Sequence, residues 1–377
     1  MAIDDEVCMT DWVTESVEMA ATPAKNRRVW RSIVKSRRWT VGVDALLGLA
    51  VRGCAAVLVL MLVGLLWVLA AGAMPSVKAF GWSFVTGQDW RPNELEVPKR
   101  DAAGKVVMED GEVVVETLEA RFGALPVIYG TLVSSVIALG VALPLSLGAA
   151  LFLVRVGPSL RVAGVVSFLV EFLAAIPSIA YGIWGLFVLV PFLRGGVEEP
   201  IRQVLSHVPW LDWLFLAGGR PLAMTGRDML CGGLLLGVMI VPIITAVARD
   251  VLAAVPRAQI EGTLALGATW WQSSREMLRY GRSALFGAAM LGLARAAGET
   301  MAVTMVIGNS NQIVASVFAP AQTMSSLLAN EFAEASSPIH RSALTEVALI
   351  LLVLSLVFNV IARYFVVGTE ARTAAAH

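Results

Sequence analysis

The sequence predicts an all-α integral membrane protein with about six transmembrane helices. Of its 377 residues, 57% are hydrophobic and 15% are charged, whereas soluble domains hold about 45 to 50% apolar and about 25% charged residues. A water-facing globule of this length cannot bury such an apolar surplus, so much of the surface must face lipid. The 29 lysines and arginines equal the 29 aspartates and glutamates in number, which argues against a protein that binds a nucleic acid backbone.

Six apolar runs are long enough to cross a bilayer, which takes about 20 residues. They lie at 53–73, within 122–154, at 172–193, at 229–248, after Arg282, and at about 342–362. Pro144, Pro177 and Pro242 stand inside three of these runs, where proline removes a helical hydrogen bond. The prolines predict kinks, which are either hinges or fixed features of the packing.

The distribution of basic residues predicts that both termini are cytoplasmic. If the six runs cross the membrane, 17 of the 29 lysines and arginines lie on the side of the N-terminus and 11 on the other side. The basic segment 25–38 is expected to lie on the anionic inner leaflet, and the alternative is a docking tail for a protein partner.

This orientation predicts how the chain is organised along its length. The expected parts are a cytoplasmic segment at 1–44, a transmembrane domain at 45–367 and a cytoplasmic tail at 368–377. The transmembrane domain includes an outer loop at 74–125 and a cytoplasmic loop at 249–282. Within the outer loop, Asp110-Gly111 joins two valine-rich runs, which predicts a small β-hairpin.

No catalytic, metal or cofactor site is predicted. The three cysteines are widely spaced, which predicts neither a disulfide framework nor a zinc site. The three histidines, His207, His340 and His377, do not cluster in the sequence and are expected to be solvated. The chain has no G-x-x-x-x-G-K-[ST] phosphate loop, so any energy from ATP must come from another subunit.

The cytoplasmic loop predicts a compact helical hairpin. Pro256 suits the first turn of a helix, and Gly267 can adopt the left-handed conformation that ends one. Thr269, with Gln272 three residues on, predicts a capping box at the start of a second helix. From this pattern alone, the hairpin either is contacted by a partner or lies against the membrane. A DNA-binding helix-turn-helix is disfavoured by its place between two membrane spans.

The fifth run carries two opposite charges, Arg295 and Glu299. An arginine at a helix centre costs about 2.5 to 3.5 kcal/mol on insertion scales, so such a group usually faces a partner or a water-filled path. Four residues apart on a helix, the two lie on one face and can pair. They are either a permanent structural ion pair or a pathway site, in which Arg295 offers its planar fork to an oxyanion and Glu299 neutralises it between transport events. Gly292 and Gly298 are expected to let a neighbouring helix approach closely.

Two parts of the sequence carry a resemblance to known permeases. Glu261-Gly262-Thr263, with Gly267 four residues after Thr263, resembles the EAA loop of ABC-importer permeases, whose pattern has alanines in place of Gly262 and Thr263. The run 292–309 is similar to that of the phosphate-specific (Pst) importer permeases, and among them to the PstC-type subunits. Further similar stretches lie at 122–126, 129–132, 174–179, 181–187 and 267–269, and the resemblance covers about 80–367.

The resemblance implies the type I, MetI-like permease fold, with a cytoplasmic EAA coupling hairpin, in the bacterial inner membrane. It implies a permease subunit of an ATP-driven phosphate importer, which is not itself an enzyme. The implied partners are a second, PstA-like permease subunit, a dimer of PstB-like ATP-binding subunits, and an extracytoplasmic PstS-like phosphate-binding protein.

The resemblance also implies roles for particular residues. Arg295 and Glu299 correspond to the substrate pathway, and the residues that would contact the ATP-binding subunit are Glu261, Gly262, Thr263 and Gly267. The alternatives are an ABC permease for another oxyanion, such as sulfate, molybdate or phosphonate, and a phosphate-linked membrane sensor or channel.

Overall fold

The computed structural model describes the backbone of residues 26–92, 95–98, 108–109, 112–113, 115–118, 120–157, 162–205, 213–217 and 220–374. Side chains are described for 46–92, 120–157, 162–204, 213–216 and 220–365. The chain divides into two compact units, Met1–Val68 and Leu69–His377.

The described part of the first unit is one helical stretch. It belongs to α1 (Asn26–Phe80), a helix of 55 residues that contains the predicted run 53–73. From Leu46 to Val68 its large apolar side chains are exposed, apart from Leu66, which is half-buried. A helix that is apolar on every side is suited to lipid. The side chains of the basic segment 25–38 lie outside the described residues.

The second unit is mostly helical. Its helices after α1 are, in chain order, α2 (Trp82–Thr86), α3 (Leu125–Leu151), α4 (Val162–Ala175), α5 (Ser178–Trp184), α6 (Val190–Leu193), α7 (Glu199–Leu205), α8 (Met229–Ala253), α9 (Arg257–Ala265), α10 (Trp270–Tyr280), α11 (Arg282–Ala297), α12 (Met301–Val306), α13 (Met324–Glu331) and α14 (Pro338–Ala374). Single turns of π-helix extend or join some of them, at Phe152–Val156, Gly185–Leu189 and Arg194–Glu198.

Within the described residues, five helical segments are long and apolar enough to cross a membrane. They are Leu46–Phe80, Leu125–Val156, Ser178–Val204, Met229–Ala253 and Pro338–Phe365. The predicted class, an all-α protein with several spanning helices, is confirmed. Two of the six predicted runs need correction.

The predicted third run, 172–193, is not one helix. α4 ends at Ala175, and Pro177, with φ −58° and ψ 140°, is the N-cap of α5. Proline has no N–H to donate and pushes the preceding residue out of the helical region, so the chain breaks here instead of kinking. Pro144 and Pro242, by contrast, lie inside the continuous helices α3 and α8.

The predicted fifth run is also divided. α11 ends at Ala297, Gly298 is its C-cap, and α12 begins at Met301. With 16 and 6 residues, each piece is shorter than the about 20 residues that a spanning helix requires. The charged part of this run therefore lies at a break between two helices.

Short antiparallel strand pairs form part of the predicted outer loop, 74–125. The pairs are β1 (Trp90–Arg91) with β6 (Arg121–Phe122), β2 (Leu95–Pro98) with β5 (Val115–Leu118), and β3 (Met108–Glu109) with β4 (Glu112–Val113). The last pair places Met108 opposite Val113, which confirms the predicted hairpin. A fourth pair, β7 (Leu216–Ala217) with β8 (Arg220–Pro221), follows α7.

The helices α3, α8 and α11 pack together at the centre of the second unit. α3 runs against α8, and α11 contacts α3, α8 and α14. Small residues permit this contact: a Cβ added to Gly237 would lie 3.2 Å from the carbonyl oxygen of Ala138. Leu236, Ile240 and Ile244 of α8 are buried in the resulting core. Two continuous helices thus support α11, which carries Arg295.

Candidate functional site

The break between α11 and α12 sets the geometry of the two charges. The N–H of Gly298 donates to the carbonyl oxygen of Ala294 at 3.3 Å, and the N–H of Glu299 donates to that of Ala296 at 3.2 Å. The second bond spans only three residues, as in the tightened last turn of a helix. Glu299 therefore lies outside the helix that carries Arg295.

Arg295 and Glu299 are not paired, so this conformation does not contain the ion pair that was one of the two alternatives. Arg295 is exposed and Glu299 is 9% exposed, and none of the ion pairs among the described residues joins them. Pairing at this spacing needs a continuous helix, and the helix ends between the two residues. Among the described residues, the guanidinium of Arg295 therefore has no carboxylate partner, and the nearly buried carboxyl group of Glu299 lies apart from it.

Buried hydroxyl groups hold the break in place. The Oγ of Ser325 donates to the carbonyl oxygen of Glu299 at 2.6 Å and lies 3.1 Å from the Oγ1 of Thr323. The Oγ1 of Thr131, on α3, accepts from the N–H of Met324 at 2.9 Å. The start of α13 therefore fixes the backbone of Glu299, and α3 fixes the start of α13. These hydroxyl groups were not predicted, because no local sequence signal connects 323–325 with Glu299.

Only one of the two predicted close-approach glycines has that role. A Cβ added to Gly292 would lie 2.6 Å from the Cδ1 of Ile244, so Gly292 permits the contact between α11 and α8. At Gly298 the nearest atoms would be carbonyl oxygens of α11 itself, those of Ala294 and Arg295, at 3.6 and 3.9 Å. Gly298 ends a helix and makes no close helix–helix contact.

The loop 249–282 forms the predicted helical hairpin. Its helices α9 and α10 are joined through Gly267, whose φ of 83° lies in the left-handed region. The N–H of Gln272 donates to the Oγ1 of Thr269 at 3.3 Å, and the N–H of Thr269 donates to the Oε1 of Gln272 at 2.7 Å. The glycine at the helix end and the capping box are both confirmed.

A cavity of about 620 Å³ opens between the two helices of the hairpin. Its lining includes Ile260, Met277, Tyr280 and Leu266, of which Leu266 is 91% exposed. Trp271 nearby in the sequence is 61% exposed. Exposed apolar side chains around a groove mark a surface that another protein or a membrane covers.

The four predicted coupling residues fall into two groups. Glu261, Gly262 and Gly267 are exposed, and a Cβ added to either glycine would meet nothing within 4 Å. Thr263 is half-buried, and its Oγ1 donates to the carbonyl oxygen of Ile260 at 2.7 Å and lies 3.1 Å from the Oγ of Ser273. Three of the residues are thus on the surface, and Thr263 holds the two helices together.

One helix connects the hairpin with the charged break. Only Gly281 separates α10 from α11, which begins at Arg282. At 1.5 Å per residue, Arg295 lies about 20 Å along the axis from that end. The two predicted sites are therefore not brought together, but they share a rigid element.

His340 corrects the expectation that the histidines are solvated. It is 6% exposed, and its Nε2 lies 3.0 Å from the Oε2 of Glu331. The same oxygen accepts a hydrogen bond from the Nε1 of Trp90 at 2.8 Å. These contacts tie the first strand of the outer loop to α13 and α14. His207 and His377 lie outside the described residues.

Glu346 is a further buried acid that the predicted runs did not single out. It lies in the run 342–362 and is 6% exposed. One turn earlier, the Oγ of Ser342 donates to the carbonyl oxygen of Gly72 at 2.8 Å and accepts from the N–H of Ser76 at 3.0 Å. An acid inside an apolar run was the signal available in the sequence.

Comparison with known proteins identifies relatives of this chain. Residues 124–369 match the family described as binding-protein-dependent transport system inner membrane component. A phosphate transport system permease protein PstC from Mesorhizobium japonicum is 38% identical over 333 residues, which cover 88% of this chain and 92% of that protein. The PstC protein of Haemophilus influenzae is 37% identical over 308 residues, or 81% of this chain and 88% of that protein. An inward-facing crystal form of the MetNI methionine ABC transporter aligns at 17% identity with a TM-score of 0.44, covering 66% of this chain and 94% of that chain.

Proposed function

Because the chain belongs to the binding-protein-dependent transport inner membrane components, and within them to the PstC-type permeases, we propose that it carries inorganic phosphate across the membrane. It is a multi-pass permease subunit of an ABC importer, and it is a transport subunit rather than an enzyme. Importers of this kind also contain ATP-binding and substrate-binding partners. We extend this to a PstA-like second permease subunit that completes the pathway, a PstB-like ATP-binding dimer, and a PstS-like phosphate-binding protein outside.

The exposed guanidinium of Arg295 is the observation that carries the proposed substrate role. It lies in the fifth apolar run and has no carboxylate partner among the described residues. A cation at this depth is costly in lipid, so it faces a water-filled path or another subunit. Its planar fork matches the geometry of a phosphate oxyanion. We assign Arg295 to the binding of phosphate in the pathway.

Glu299 has a different part in the proposed cycle. Its carboxyl group is nearly buried, and Ser325 holds its backbone. We propose that the distance between Glu299 and Arg295 changes during transport. When the acid approaches, it neutralises the guanidinium and favours release of the anion.

The hairpin of α9 and α10 is the proposed docking site for the ATP-binding subunit. It offers a groove lined by both apolar and charged side chains, exposed tryptophans and the exposed residues Glu261, Gly262 and Gly267. Because α11 follows the hairpin directly, displacement of the hairpin by the ATP-binding dimer would move the helix that carries Arg295. This surface is expected to be cytoplasmic, with both termini on the same side.

Substitution of Arg295 in the complete reconstituted importer tests the pathway role. We expect Arg295→Ala to lower phosphate uptake about a hundredfold, because a charge-assisted contact contributes about 3 kcal/mol. Arg295→Lys keeps the charge and loses the planar fork, so its phosphate uptake should lie between that of Arg295→Ala and that of the unmodified protein. Arg202→Ala is the matched control, since Arg202 forms an exposed ion pair with Glu199 at 2.8 Å, and it should transport normally.

Three measurements decide the outcome. Copurification of the other subunits shows whether assembly is intact, and loss of assembly in Arg295→Ala would indicate a structural role. Competition by sulfate, molybdate and a phosphonate shows which oxyanion is carried, and uptake of one of these in preference to phosphate would overturn the substrate. In Glu299→Gln, release of phosphate from Arg295 should be slower, so KM and kcat should both fall. If KM and kcat are unchanged, Glu299 does not have the proposed role.

A further inference from the structure

The guanidinium of Arg155 makes an unusual set of contacts at the end of α3. Arg155 lies in the π-helical turn Phe152–Val156 that extends this helix. Its Nη1 donates to the Oγ of Ser273 and to the Oγ of Ser274, each at 3.1 Å. Its Cζ lies 5.3 Å from the centre of the Trp270 ring. All three partners belong to α10, so one side chain joins a membrane span to the second helix of the hairpin.

The partners of Arg155 are held in place on the hairpin side. Ser273 and Ser274 are 1% and 0% exposed, so their hydroxyl groups have little access to water. The Oγ of Ser274 donates to the carbonyl oxygen of Trp270 at 2.9 Å, which leaves its lone pairs for the guanidinium. The Oγ of Ser273 lies 3.1 Å from the Oγ1 of Thr263 on α9. The contacts thus continue from α3 through α10 to Thr263.

The apolar packing beneath this polar cluster joins the same elements. Leu151 of α3, Leu252 of α8, Met277 of α10 and Leu285 of α11 share one buried cluster. Such packing resists separation of the hairpin from the spans but does not by itself set the angle of α10, because apolar contacts are non-directional. Two hydrogen bonds and a stacked ring, all from one planar group, do set a direction.

We propose that Arg155 is a positioning residue that fixes the angle of the coupling hairpin against α3, and that through this contact hairpin displacement reaches the spans. The inference rests on the proposed docking of an ATP-binding subunit on the hairpin. It adds a second connection between hairpin and pathway, through α3, beside the direct connection through α11. α3 supports the break at Glu299 from its other end, where Thr131 contacts Met324.

Arginine is the residue that this position requires. Lysine at position 155 would keep the positive charge, but its ammonium group has no planar face to lie over Trp270, and its three N–H donors rotate about one bond, so they do not hold two hydroxyl groups in fixed directions. Arg155→Lys therefore removes the directional contacts and changes little else. Arg249→Lys is the matched control, because Arg249 also lies near the cytoplasmic end of a span and forms exposed ion pairs with Asp250 and Glu171, at 3.4 and 4.0 Å.

The first test measures position and does not depend on phosphate. In the complete importer, hydrogen exchange of the backbone amides of 257–280 should be at least about fivefold faster in Arg155→Lys than in the unmodified protein. A factor of about five is the smallest effect that a typical coupling free energy produces. The amides of α3 and α8 should be unchanged, and Arg249→Lys should match the unmodified protein throughout. If the hairpin amides exchange at the same rate in Arg155→Lys and in the unmodified protein, the proposal is overturned.

The second test measures coupling. In vesicles we expect Arg155→Lys to keep ATP hydrolysis and to lower the phosphate moved per ATP at least about fivefold, an effect that a merely stabilising residue would not produce in an assembled complex. An unchanged ratio would overturn the role in coupling. If the unmodified importer moves no phosphate, the proposed function fails, while hydrogen exchange still decides the role of Arg155.

A second variant, which removes the two hydroxyl groups, tests the same contacts in case Arg155→Lys does not fold. Ser273→Ala combined with Ser274→Ala deletes the acceptors and leaves Arg155 in place. The proposal expects a partial loss of coupling in this variant, because the Trp270 contact remains, and a smaller further loss on adding Arg155→Lys than Arg155→Lys causes alone, since the two changes share the hydrogen bonds. Additive losses would show that Arg155 acts elsewhere and would overturn the proposal.

Discussion

Two capping boxes, one in each proposed site, lie in opposite surroundings. In the hairpin, Thr269 and Gln272 cap α10, and both are exposed. At the break, Thr323 and Ser326 cap α13 with the same pair of reciprocal bonds, but they are 3% and 0% exposed. The exposed box stabilises a helix locally, whereas the buried box also contacts Ser325 and so supports Glu299. A capping motif therefore has a local role on a surface and a tertiary one in a core.

The largest expected effect lies at the buried site. A Cβ added to Gly130 of α3 would lie 2.2 Å from the carbonyl oxygen of Gln322, just before the buried box. Because backbone cannot yield as a side chain does, Gly130→Ala should lower the free energy of unfolding by about 3 kcal/mol. Thermal unfolding in detergent measures this.

Gly140 on the same helix supplies the control for that substitution. A Cβ there meets nothing within 4 Å, so Gly140→Ala should gain about 0.5 to 1 kcal/mol from its better helix propensity. Equal effects of the two substitutions would show that the close approach at Gly130 has no energetic importance.

A helix cap formed by an acidic side chain extends the comparison. Asp228 caps α8, and its Oδ1 accepts from the N–H of Cys231 at 2.7 Å. Burial, with the neighbouring Glu198 carboxyl group as a further cause, raises the pKa of Asp228 from 3.8 to about 8. The folded protein thus keeps a proton that the unfolded chain releases, and stability falls as pH rises from about 4 to about 8.

Asp228→Asn keeps the cap and removes the titration. We expect the variant to be more stable than the unmodified protein by about 2 kcal/mol at pH 9 and to lose the fall in melting temperature between pH 5 and pH 8. Melting curves at pH 5, 7 and 9 measure both effects. A variant that retains the original pH slope would show that another group titrates.

The two boxes can be compared directly by removing each threonine. Thr323→Ala should cost about 1.5 to 2 kcal/mol, since a buried partner is left unsatisfied as well, and Thr269→Ala about 0.5 to 1 kcal/mol. Only Thr323→Ala should alter phosphate uptake through the position of Glu299. Equal costs in thermal unfolding would contradict the distinction drawn between the two surroundings.

The smallest effect is expected at the turn of the hairpin. Gly267 has a φ of 83° and open space around it, so Gly267→Val costs only backbone strain, about 1 kcal/mol. The distorted turn should weaken stimulation of the ATPase without changing insertion. Asparagine tolerates the left-handed conformation, so Gly267→Asn should keep normal stimulation of the ATPase. Normal ATPase stimulation in Gly267→Val would argue against docking at this hairpin.

Local sequence signals predicted a feature correctly where the residues that form it are close together in the chain. The Thr269–Gln272 box, the turn at Gly267 and the β3–β4 hairpin all rest on residues within a few positions of one another. The ion pair between Arg295 and Glu299, one of the two alternatives, is absent because it required a continuous helix through Gly298. The break depends on Ser325, which is 26 residues from Glu299, so no pattern within the run shows it.

Composition and periodicity alone determined that this chain is a helical membrane protein with a helical hairpin between two of its apolar runs, because hydrophobic runs and caps act through neighbouring residues. The tertiary structure decided which charges pair, which polar groups are buried and which helix ends at the centre of the protein. Those outcomes depend on contacts between distant segments, such as Arg155 with Ser273 and Thr131 with Met324, whose energies arise only once the helices have packed.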